Sequence, residues 1–218
     1  MIDLPPPQPH FEIVLASEGM SKGLAQTDGG QALARLELDA GGLLAGGQLK
    51  NITSPDAEAE AGLFLGYRGR LGRVQITGTI TYKSWLWRHR PADAEAVEFG
   101  LSASRTWGRV TPRIAVNYTP DDLGTTGTSL FLETGFSFRL NERFSVSALA
   151  GRREREAQPD YTAFSLGLTF SISRHLSADL RYHDTDRSAL TENLSFSRNE
   201  KPVSRKSDVP VVPRSSGV

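Results

Sequence analysis

From Phe164 onward every second residue is apolar: Phe164, Leu166, Leu168, Phe170 and Ile172. Ser165, Gly167, Thr169 and Ser171 stand between them. After a tight break at Ser173-Arg174-His175 the alternation resumes with Leu176, Ala178, Leu180 and Tyr182, opposed by Ser177, Asp179, Arg181 and His183. A strand sends successive side chains to opposite faces, so this pattern predicts β-strands whose two faces meet different surroundings. Two such runs joined by a turn predict a hairpin. A soluble sandwich can carry one such hairpin, so the spread of the pattern along the chain decides.

The pattern runs almost from end to end. Apolar faces recur at Phe11, Ile13 and Leu15; at Ala34, Leu36 and Leu38; and from Leu43 to Leu49. They continue from Ala61 to Tyr67, Val74 to Tyr82, Val97 to Ala103 and Val110 to Tyr118. Leu132 to Leu140, Phe144 to Ala150, the opening hairpin, and Leu190, Leu194 and Phe196 complete the series. This predicts about twelve strands, with no helical periodicity. Every second connection reads as a tight turn, and those between read as longer loops, including Glu18–Gln31 and Ser84–Ala94. A sandwich has no reason to sort its loops in this way, whereas a membrane barrel keeps short turns on the periplasmic side and longer loops outside. The expected fold is therefore all-β: a transmembrane antiparallel up-and-down β-barrel of about 12 strands over residues 10–198. A disordered proline-rich N-terminus, 1–9, precedes it, and a disordered Ser-, Pro- and charge-rich periplasmic tail, 199–218, follows.

Composition narrows the function. The formal net charge is zero, so no strong field argues for nucleic acid. Cysteine is absent, which removes disulfides and thiolate metal sites. His10, His89, His175 and His183 are scattered without ligand spacing, so neither metal nor cofactor is expected. No apolar run is long enough for a membrane-spanning helix. Met1 to Pro7 has neither a basic region nor an apolar core and does not read as a signal peptide. Taken literally that points to the cytoplasm; the alternatives are a mature chain with an added Met and a chain whose start is truncated. No Gly-x-Ser-x-Gly elbow occurs, and a Ser/His set built on His183 with Ser177 or Ser195 costs nothing in so Ser-rich a chain, so an enzyme is not expected.

If the apolar face meets lipid, the polar face lines a lumen. The expected pore-lining residues are Arg35, Glu37, Lys50, Arg68, Glu98, Arg113, Glu133, Arg139, Asp179, Arg181 and His183, with Asp39, Glu60 and Lys83 on the same face. Rings of such charges bias which solutes pass. Eight strands fill with side chains and sixteen hold an open channel, so about twelve leaves both a conducting path and a charge-paired, nearly closed lumen open. Trp85, Trp87, Trp107, Tyr82, Tyr118 and Tyr182 fall near strand ends and are expected as membrane-interface anchors.

The segment Ala16-Ser17-Glu18-Gly19-Met20-Ser21-Lys22-Gly23-Leu24-Ala25-Gln26-Thr27-Asp28-Gly29 resembles the opening of the TorF family of porins. Gly66-Tyr67-Arg68-Gly69 and Asp184-Thr185-Asp186 also look like that family, and the resemblance runs from about Phe11 to Arg198. It implies a proteobacterial outer-membrane barrel with solute passage, and carries over no functional residues. Such chains usually end at their last strand, whereas some twenty residues follow Phe196 here.

The expected function is porin-like: passive passage of small hydrophilic solutes through a charged lumen, in the cell outer membrane. Its partners are outer-membrane lipid and lipopolysaccharide, the solutes themselves, and a periplasmic or membrane protein held by the C-terminal tail. The alternatives are a non-conducting, partner-binding outer-membrane barrel and a soluble ligand-binding β-barrel.

Overall fold

A computed structural model of the chain describes residues 5–89, 93–124 and 126–186. The strand expected at Leu190–Ser197, the tail 199–218 and Arg90 lie outside the described residues.

Among the described residues thirteen strands follow one another: β1 (Gln8–Ala16), β2 (Met20–Ser21), β3 (Leu24–Ala25), β4 (Gln31–Ala40), β5 (Leu43–Asn51), β6 (Ala57–Leu71), β7 (Val74–Arg88), β8 (Glu95–Ser104), β9 (Val110–Asp122), β10 (Gly127–Arg139), β11 (Phe144–Arg155), β12 (Tyr161–Ser171) and β13 (Ser177–Thr185). Eleven of them form one antiparallel sheet in the order β1-β4-β5-β6-β7-β8-β9-β10-β11-β12-β13, so apart from the inserted β2–β3 pair every strand lies beside the next in sequence. Such a meander needs only short connections and places each apolar run next to another. Among the described residues β1 and β13 each pair on one side only, and the sheet is not closed.

The expected strands and the observed ones agree closely in register and differ at one end. β6 and β7 are 15 residues each, longer than the apolar alternation suggests, because the ladder continues past it: Glu60 pairs with Trp85, Ala59 with Leu86 and Ala57 with Arg88. Hydropathy marks where one face changes its surroundings, whereas the ladder continues as long as two backbones stay paired. The predicted loop Ser84–Ala94 is therefore largely strand. Connections alternate in length only in the N-terminal half, where residues 41–42 and 72–73 contrast with 52–56 and 89–94. Beyond β8 the two ends have connections of similar length.

The tightest turn shows the local chemistry. Gly41 and Gly42 have φ of 66° and 94°, the paired positive values of the hairpin turn that suits strand twist. A Cβ on Gly42 would stand 2.4 Å from the Arg68 carbonyl oxygen, so a side chain there would push β6 away.

Cross-strand partners share a face, so the register assigns every side chain. One face carries Leu36, Leu65, Ile80, Phe99, Phe136, Leu166 and Leu180, all exposed; Leu65 is 66% and Leu166 60% accessible. The other carries Glu37, Lys50, Glu60, Phe64, Phe131 and Tyr161, all buried. In water this arrangement is inverted. Burying a Leu or Phe side chain is worth about 1.5–3 kcal/mol, and charged groups are almost never buried unless paired.

Candidate functional site

The polar face is buried at its middle strands because the sheet curves round its own first connection. The predicted loop Glu18–Gln31 contains the small β2–β3 hairpin, in which Met20 pairs with Ala25 and Ser21 with Leu24. Its two central residues, Lys22 and Gly23, have φ of 51° and 82°, and the primed turn this makes is tight enough to fit inside the curve. The base of the hairpin is tied to β5 and the connection after it. Lys50 Nζ donates to Gln26 Oε1 at 2.6 Å, and the Thr53 amide donates to the Gln26 carbonyl at 2.7 Å. The tip reaches far across the sheet. Lys22 Nζ meets Glu98 Oε2 on β8 at 2.5 Å, and the Tyr161 hydroxyl on β12 donates to the Lys22 carbonyl at 2.8 Å. A Cβ on Gly23 would lie 2.1 Å from the Cβ of Ala163, so glycine lets the tip rest on β12.

Around the hairpin the charges are partnered in a ring. Lys83 Nζ joins Lys22 on the same Glu98 oxygen at 2.7 Å. Lys50 pairs with Glu60 at 3.1 Å, and Arg153 pairs with Asp122 and donates to Ser129 Oγ at 3.0 Å. Burial, and then the neighbouring Lys83, lower the pKa of Lys22 below its ordinary value, with Glu98 pulling the other way. A cavity of about 230 Å³ opens beside this ring, lined by Lys22, Gln26, Glu60, Lys83, Trp85 and Arg153 among others.

Further along the face the character changes. The Arg35 guanidinium lies over the Phe64 ring, 4.4 Å from its centre. Arg35 and Arg68 both hold Glu37 at 2.9 Å, and Arg68 reaches Asp39 at 3.2 Å. Arg113 faces Glu133 at 3.5 Å. On β13, Asp179 accepts from Arg181 at 3.0 Å and from the Thr169 hydroxyl at 2.6 Å. Hydroxyls and glycines separate these groups: Thr77, Thr79, Ser102, Ser137, Ser147 and Gly167 share the face. Near the tight-turn end a second cavity of about 430 Å³ is lined by His10, Phe11, Glu12, Arg35 and Glu37 together with Arg174 and His175. The β12–β13 turn thus lies close to β1 and β4, strands from the opposite margin of the sheet.

The register places all eleven expected pore-lining residues on the polar face. Salt bridges join Arg35, Glu37 and Arg68 into one group, Arg113 with Glu133, and Arg181 with Asp179. Arg139 is exposed at the tight-turn end of β10, and His183 lines a cavity with Lys22 and Arg181. Of the expected anchors, Tyr82, Tyr118 and Tyr182 are exposed on the apolar face, and Trp107 and Trp87 are exposed at the ends of the sheet. Trp85 differs. It pairs with Glu60 and lines the inner cavity, because β7 keeps its alternation past the apolar band. Tyr161, at the start of β12 where an aromatic side chain suggests an interface, is 1% exposed and holds the hairpin. Arg153 and Asp122 lie at the ends of β11 and β9, past the apolar alternation that marks those strands in the sequence. Among the described residues no cluster of His, Asp or Glu is arranged to hold a metal ion.

The fold and the polar face together define a class: an all-β antiparallel meander with apolar side chains outside and paired charges within. Residues 11–207 match a family model described as a bacterial protein of unknown function (Gcw_chp), and the chain belongs to that family. No curated protein matches it.

Proposed function

We propose that the chain is a porin-like barrel of the bacterial outer membrane, passing small hydrophilic solutes along its charged inner face. The observation that carries this reading is the inverted burial: Leu65, Leu166 and Leu180 outside, Glu60, Lys50 and Glu37 inside. An apolar surroundings makes that arrangement favourable, and a hydrocarbon layer supplies it. The same surroundings demands closure, since each backbone group left unpaired in lipid costs several kcal/mol. The approach of Arg174 and His175 to His10 and Glu12 supports a sheet whose margins come together. The tyrosines Tyr82, Tyr118 and Tyr182 serve as interface anchors, and the resemblance of the Ala16–Gly29 segment to TorF porins points the same way.

A second reading, an outer-membrane barrel that does not conduct, is favoured by the β2–β3 hairpin seated against the inner face. Two measurements separate these from a soluble protein and from each other. Membrane fractionation with heat-modifiable gel migration tests the barrel, and recovery in the soluble fraction without a heat shift overturns it. Discrete conductance steps in planar bilayers test the pore, and their absence at every voltage leaves the non-conducting reading in its place.

A further inference from the structure

We infer that Lys22 at the hairpin tip and Lys83 on β7 form a small-anion site that gives the lumen a preference for anions; this rests on the pore reading. The argument starts from unequal charge. Lys22 and Lys83 both converge on one oxygen of Glu98, at 2.5 Å and 2.7 Å, while Lys50 has Glu60 and Arg153 has Asp122. Four cations thus share three carboxylates, and the surplus charge sits on the Lys22–Lys83 pair. An ammonium group has three donors. Among the described residues each of these two lysines makes a hydrogen bond only to Glu98, so two donors on each remain unspent. Both side chains line the cavity of about 230 Å³, where Ser21, Thr53 and Ser54 add hydroxyls. Surplus positive charge, free N–H donors and hydroxyls on one wall suit a small oxyanion or carboxylate. The lysine side chains are only 10% and 14% exposed, so bulk water screens them less than surface charges.

The site has a built position as well as a charge. Lys22 is fixed by its carbonyl, which accepts from Tyr161, and by the close seat of Gly23 on Ala163. Lys83 stands on a strand paired on both sides. Neither ammonium has to be ordered when an anion arrives.

The test is ion selectivity in planar bilayers across a potassium chloride gradient, on the full chain. A unit charge about 4 Å from an ion in water biases its occupancy about fivefold. The wild type should favour chloride, and Lys22→Gln and Lys83→Gln should each lower that preference by up to about fivefold. Glu98→Gln should raise it. Millimolar inorganic phosphate should reduce the chloride current of the wild type and leave that of Lys83→Gln unaffected. Heat-modifiable migration of each variant shows that it has folded. Cation-preferring or unselective conductance, or phosphate block that survives both lysine substitutions, overturns the anion site and leaves the pore standing. A folded wild type without conductance overturns the pore and the site together.

Discussion

Leu166→Arg separates a sheet face that meets water from one that meets lipid. Leu166 is the sixth residue of the eleven in β12, faces outward and is 60% exposed. It pairs with Ala148 and Tyr182, so an arginine there has room and disturbs no packed neighbour of its own size. On a water-exposed face such a substitution changes stability by about 0.5 kcal/mol or less in either direction. At the midplane of a membrane barrel the same change costs about 2–4 kcal/mol, falling to about 0–1 kcal/mol near the interfaces. Between those readings lies a shift of about 30- to 900-fold in the folding equilibrium. Leu140, 44% exposed just past the end of β10, supplies the near-interface comparison, and Leu140→Arg should cost at most about 1 kcal/mol. The assay is denaturant unfolding in lipid vesicles, followed by heat-modifiable migration. If Leu166→Arg and Leu140→Arg both fall within about 0.5 kcal/mol of the wild type, the outer face does not meet hydrocarbon and the membrane reading fails.

Three further outcomes follow from the inner face. Gly23→Val should lift the hairpin from β12, because its Cβ would overlap that of Ala163 and φ is positive there; protease cleavage within residues 17–30 should rise, and Ala163→Gly should restore part of the protection. Glu60→Gln leaves Lys50 with only the Gln26 oxygen in a largely buried position, so stability should fall by about 3 kcal/mol in denaturant unfolding, and a loss below about 0.5 kcal/mol would mean that water already reaches the pair. Lys22, on the hairpin and not on a spanning strand, has a folded pKa below its ordinary 10.5, so the folded state binds fewer protons than the unfolded one in the window between those two values. Hairpin docking should therefore tighten as pH rises through that window, read as a larger protection factor, against the intrinsic exchange rate at each pH, for the Gln26 amide, which is bonded to the Gly19 carbonyl.

Alternation made the two faces legible because every strand keeps one side in each environment. Leu166 against Gly167, or Leu36 against Glu37, reports its face without help from any neighbour. The strand ends were harder to read, as Trp85 shows: its size and position suggest an interface, yet the ladder carries it inside opposite Glu60. The hairpin was not legible at all. Two-residue strands leave no periodicity, and a lysine in the left-handed region gives no signal beyond the glycine that follows it. Tyr161 and Arg153 owe their roles to partners far away in sequence, which pattern within a strand cannot reveal.

The bond from Tyr161 to Lys22 joins residues 139 positions apart, whereas the ladders link neighbouring strands. Contacts of such long separation carry the largest loop-closure entropy and form after local pairing has shortened the path. The meander therefore assembles first, and the hairpin is seated only once β12 has arrived. A freshly paired sheet thus passes through a stage in which Lys22 and Gly23 are still free of β12, and its lifetime is set by how fast the hairpin finds its seat.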